Sequence, residues 1–172
     1  PHKSAFSKEN KNDCVVCHGN HGISKPGDEM LGSGEKSVCI KCHVNNDKGF
    51  IAAVLMKNMI DSLLKEMESA NHSIYLAESM GMDLSEAKFE WTEINEALMI
   101  ARTGTHFGHT DKFISSLKNG FKLTENAKVI SEQAVNDFYK RRNWLAYSLI
   151  FSIIIFAALF LKLRKIEKMR NI

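Results

Sequence analysis

The chain has 172 residues, 44% of them hydrophobic, and a formal net charge of +3 at pH 7. That length leaves room for one modest domain with additions. The charge is uneven: residues 1–143 hold 18 Lys/Arg against 19 Asp/Glu, while 144–172 hold five against Glu167 alone, which argues against a nucleic-acid binder.

Residues 1–49 are rich in Gly, Lys, Asn, Asp and Ser and show neither a helical nor a strand period. Such a segment buries little apolar surface and needs something else to supply a core. The chain starts at Pro1 rather than Met, which suggests a mature end left by a signal peptide. All 4 cysteines fall here, in Cys14-Val15-Val16-Cys17-His18 and Cys39-Ile40-Lys41-Cys42-His43. In a Cys-x-x-Cys-His motif the thiols form thioethers to the haem vinyl groups, and the next imidazole is the proximal iron ligand. The 21 residues between the pairs also come close to a four-cysteine zinc spacing, and two disulfides in a secreted domain are a further alternative. Neither explains a histidine after both pairs. The expected cofactors are two haem c, attached through Cys14, Cys17, Cys39 and Cys42, with His18 and His43 proximal.

From Phe50 the pattern turns helical. The spacing predicts a first helix over Gly49–Met80, with Ile51, Val54, Leu55, Ile60, Leu63, Leu64, Met67, Ile74 and Ala77 among its apolar positions and Gly81 as its stop. A second runs from Ser85, its N-cap, to Arg102, with Phe89, Ile94, Leu98 and Ala101 apolar. A short third, Asp111–Asn119, is capped by Thr110 and stopped by Gly120, and a fourth starts near Thr124. No proline follows Pro26, which suits helices throughout.

Leu145–Leu161 is an uncharged run of 17 residues inside a 20-residue span, Trp144–Leu163. At about 1.5 Å per residue it covers the roughly 30 Å hydrocarbon core, and Trp144 and Tyr147 sit where interfacial aromatics belong. A transmembrane helix is expected here. Lys140, Arg141 and Arg142 precede it; Lys162, Arg164, Lys165, Lys168 and Arg170 follow it. That asymmetry favours a cytoplasmic C-terminus. The expected fold is mainly α: a loop-rich dihaem module (1–49), a small helical bundle and stalk (50–143), a transmembrane helix (144–163) and a basic cytoplasmic tail (164–172).

The stretch Cys14–Gly22, then Met30-Leu31, then Cys39–His43 resembles the paired CxxCH module of multihaem c-type cytochromes, with His21-Gly22 soon after the first motif and a Leu before the second. The likeness covers less than a fifth of the chain. Ala77 through His106 more loosely resembles a helical segment that follows such modules, through Ala77, Gly81-Met82, Ala97-Leu98, Ala101-Arg102 and His106. His21 is too close to His18 to wrap round the same porphyrin, and the resemblance implies that it is the distal ligand of the haem on Cys39/Cys42. For the haem on Cys14/Cys17, His106 leads; His109, in the same Gly-rich connection, and His72 and His2 remain alternatives. Met30 is a competing ligand of another type, and Arg102 a candidate propionate contact.

The expected function is electron relay, rather than enzymatic catalysis, by a single-pass protein of the bacterial inner membrane. Its haem domain would be periplasmic, and its partners redox proteins or subunits of a larger respiratory complex. The alternative is a haem enzyme or sensor subunit with one open distal position for NO, a peroxide or hydroxylamine.

Overall fold

A computed structural model describes residues 13–22, 25–107 and 110–170. Among these the chain is mainly helical, with no strand. A short helix, α1 (Asp13–His18), is followed by 3-10 turns at Asp28–Met30 and Cys39–Lys41. Three long helices follow: α2 (Lys48–Ser79), α3 (Ser85–Gly104) and, after a 3-10 turn at Thr105–Phe107, α4 (Thr110–Arg170).

The core is a three-helix bundle with a heptad-like seam. On α2 the buried positions are Ala53, Met56, Ile60, Leu63, Met67, Ala70, Ile74 and Ala77, alternating three and four residues apart. The same rhythm places Ala87, Ile94, Leu98 and Ala101 of α3 and Phe113, Leu117, Thr124, Ala127 and Ser131 of α4 against it. An alternating 3/4 stripe keeps one face of each helix toward its neighbours. This seam is narrower than the apolar positions the sequence offers. Ile51, Leu55 and Phe89 lie outside it, 57%, 45% and 66% exposed.

Two terminations differ in kind. At Gly81 the α2 helix ends as expected, with Gly81 at φ 74°. The Met82 N–H donates to the Ala77 carbonyl (3.2 Å) and the Gly81 N–H to that of Glu78 (2.9 Å), the two bonds of a Schellman cap. Gly120, expected to stop a helix, does not: α4 runs through it as one 61-residue helix, so there is no separate helix starting near Thr124. Gly120 is buried where α4 meets both other helices. A Cβ there would stand 3.0 Å from Leu63 Cδ2 and 3.6 Å from Ala97 Cβ. The glycine serves close packing, and the Thr124 hydroxyl bonds back to its carbonyl at 2.7 Å. At the start of α3 the N-cap position is Leu84, not Ser85. The carboxylate of Asp83 does the capping, accepting from the Ser85 N–H (3.0 Å) and hydroxyl (2.7 Å).

Beyond Phe138 every described residue of α4 is exposed. This helix is long and apolar enough to cross a membrane, and none of its most apolar window is buried.

Candidate functional site

The two cysteine motifs are built differently. Cys14 and Cys17 sit on α1 one turn apart, hence on one face. The helix closes as the Gly19 N–H donates to the Val15 carbonyl at 2.9 Å, with Gly19 at φ 74°. Cys39 opens a 3-10 turn, and both Cys42 and His43 donate backbone N–H groups to its carbonyl, at 3.2 and 2.9 Å. The buried Ser37 hydroxyl locks the approach to this turn, donating to the Gly32 carbonyl (2.6 Å) and accepting from the Cys39 N–H (3.2 Å). None of the four cysteines is paired in a disulfide. Burial, with the neighbouring Cys39 and Cys42, pushes the Cys17 thiol up.

His43 is held by one carboxylate. Its Nδ1 lies 3.1 and 3.2 Å from the two oxygens of Asp47. Asp47 is also the N-cap of α2, accepting from the Phe50 N–H at 2.7 Å and the Val44 N–H at 3.1 Å. These bonds hold its carboxyl below the usual range, the Phe50 amide most of all. The His43 ring lies over Gly49, where any Cβ would overlap it. His106, in the 3-10 turn after α3, has its Nδ1 3.2 Å from the Thr103 carbonyl oxygen. Both acceptors are oxygens, so in each ring Nδ1 is the donating nitrogen. Iron- and zinc-bound histidines are oriented in this way.

The structure brings His106 across from His18: their ring centres are 6.1 Å apart and the planes 14° from parallel. With about 2 Å from metal to nitrogen and about 1 Å from nitrogen to ring centre, two imidazoles on opposite sides of one iron stand about 6 Å apart. The separation matches that distance, but rings stacked face to face do not aim their nitrogens at one shared atom; the fit to haem rests on the paired thiols and following histidine of each motif. Exposed apolar side chains around the second motif, Ile40, Val44, Ile51 and Leu55, offer a surface that a porphyrin could cover.

The remaining candidates are dispersed. His21 is exposed in the bend after α1, and His72 is exposed in mid-α2. His2 and His109 lie outside the described residues. Met30 is half-buried in the Asp28–Met30 turn, its carbonyl accepting from the Val38 N–H at 2.9 Å. Arg102, weighed as a propionate contact, is engaged elsewhere. Its Nε and a terminal nitrogen grip the two oxygens of Asp28 at 2.9 and 2.6 Å, and this pairing raises its pKa further. The fork ties the inter-motif loop to the end of α3, four residues before His106. Among the described residues no three His, Cys, Asp or Glu side chains converge as a metal-binding group.

Sequence reasoning missed Asp47 and Asp28. Asp47 carried a local signal, an aspartate just ahead of a helix and four residues past a motif histidine. Asp28 carried none, being 74 residues from its partner.

No protein-family model, no curated protein and no solved structure matches the chain.

Proposed function

We propose that the chain is a membrane-anchored dihaem cytochrome c that relays electrons on the outer face of the membrane, as a subunit of a larger electron-transport complex. The observation that carries this reading is the Cys-x-x-Cys-His pattern, present twice at Cys14–His18 and Cys39–His43. The oxygen-bound Nδ1 atoms of His43 and His106 and the approach of the His106 ring to within 6.1 Å of the His18 ring, centre to centre, support it. Bound haem would supply a one-electron ferric/ferrous couple. The chain's own residues would attach it (Cys14, Cys17, Cys39 and Cys42) and hold its irons (His18 with His106, His43 with His21). Histidine on both sides keeps the potential low relative to methionine ligation. The helix through Trp144–Leu163 would cross the inner membrane with its basic end, to Arg170, in the cytoplasm.

The test is direct. The chain, expressed with a haem-attachment system, keeps haem after denaturing electrophoresis, and its mass rises by two haem groups. A haem-free product overturns the reading. Both ferric haems are low-spin; a high-spin component that shifts on adding cyanide or NO replaces the relay by an open-site enzyme or sensor. His106→Gly converts one haem to high-spin. An unchanged spectrum removes His106 as the ligand.

A further inference from the structure

Both motifs sit at one end of the bundle, and the membrane-crossing segment leaves from the other. At the motif end, Gly104 of α3 faces Phe113 near the start of α4, its Cβ position 3.7 Å from that residue's backbone. At mid-height Gly120 meets Leu63 and Ala97. At the far end Gly81 and Met82, just past α2, share a cleft of about 440 Å³ with Ile130, Ala134, Asp137 and Arg141. α2 and α4 therefore run parallel, and the α2–α3 turn is the end nearest the bilayer.

The height follows from the unbroken helix. Thr110, four residues past His106, is 34 residues from Trp144 along α4. At about 1.5 Å per residue this is about 50 Å. Lys48 stands 15 residues above Leu63 on the parallel helix, which lifts the second motif to nearly 60 Å by the same rise of about 1.5 Å per residue. A typical transmembrane tilt of about 20° shortens these heights by less than a tenth.

We propose that the two motifs stand about 50 Å off the bilayer, and that the chain therefore exchanges electrons from its membrane-distal tip and not with a carrier dissolved in the bilayer. The inference rests on the two motifs being haem sites. Each event moves one electron between the partner's centre and a haem iron; one is oxidised as the other is reduced, and no bond is made. Tunnelling falls exponentially with separation, so a gap of some 50 Å of helix and water isolates the tip from a membrane-confined quinol.

The haem-loaded full chain in lipid vesicles, with a long-tailed quinol confined to the bilayer, tests this. The experiment runs in whichever direction equilibrium favours, quinol to ferric haem or ferrous haem to quinone. The expected result is no exchange until a water-soluble mediator is added, then complete equilibration. Exchange without mediator, at the mediated rate, overturns the proposal. Small-angle scattering of the chain in a nanodisc gives the height without reference to haem. A rod standing about 50 Å off the disc is expected, and a bundle lying flat on it overturns the inference. A product without haem defeats the haem reading, while the scattering result still decides the stand-off.

Discussion

Asp47 holds the first turn of α2 and the ring of His43 with the same carboxylate. Removing an N-cap oxygen costs about 1 kcal/mol, so Asp47→Ala should lower the denaturant midpoint by that order. If the chain carries haem as proposed, it should also free the His43 ring, seen as a changed potential and broadened spectrum of the haem at the second motif. Asp47→Asn keeps a capping oxygen and should recover most of the stability but less of the potential. Gly49 gives a sharper variant. An alanine there puts a methyl group into the His43 ring, so Gly49→Ala should disturb the second haem's spectrum and leave the first unchanged. A neighbour at the other end of the bundle titrates instead. The Asp83 carboxyl is lowered from 3.8, chiefly by the Ser85 side chain and amide. A group whose pKa falls on folding stabilises above its unfolded value and loses that contribution as pH falls through the folded one. Protection factors of the amides in the first turn of α3, corrected for intrinsic exchange, should therefore fall as pH drops below 3.8, and Asp83→Asn should flatten that dependence.

Among the helices, α2 and α3 were legible because caps and period agree: Gly81 ends one and the polar Asp83–Ser85 pair opens the other. The short third helix was not, because glycine has two uses that a sequence does not separate. In αL conformation it ends a helix; in a seam it lets two helices approach. Gly120 does the second, against Leu63 and Ala97. Nor does the sequence say which of its apolar positions are buried: Ile51, Leu55 and Phe89 are apolar yet exposed, since only packing selects one apolar stripe from two. At Gly120 an alanine gains about 1 kcal/mol of helix propensity and meets Leu63 Cδ2 at 3.0 Å. The movable end of that leucine can yield, so Gly120→Ala should change stability by less than about 1 kcal/mol. Gly120→Leu overfills the seam and should cost about 1–3 kcal/mol, measured by chemical denaturation.

Across the whole molecule the cysteine motifs and the long apolar C-terminal segment were readable locally, whereas the approach of the His106 ring to His18 was not derivable from spacing. The fork between Arg102 and Asp28 closes the inter-motif loop onto the bundle four residues before His106. Arg102 is about half exposed at 47% and Asp28 less so at 17%, so solvent discounts the pair and its global contribution stays near 1 kcal/mol. The local effect should be larger. In a chain loaded with haem as proposed, Arg102→Lys, which cannot form the planar fork, should weaken the low-spin signature of the haem at the first motif while barely shifting the denaturant midpoint, and the Arg102→Asp/Asp28→Arg exchange should restore it in part.

The unbroken α4 also makes the protein a shaft with a defined angular phase. Each residue of an α-helix turns about 100°, so the compass direction of the tip is set by the residue count between Ser131 and Trp144. One residue inserted in the exposed stretch 139–143 raises the tip by only about 1.5 Å but swings it through about 100°. Seven residues lift it about 10 Å and return it to within about 20° of its original bearing. If the tip faces a partner fixed in the same membrane complex, turnover should collapse with the one-residue insertion and persist with the seven-residue one. A freely diffusing carrier would be indifferent to both.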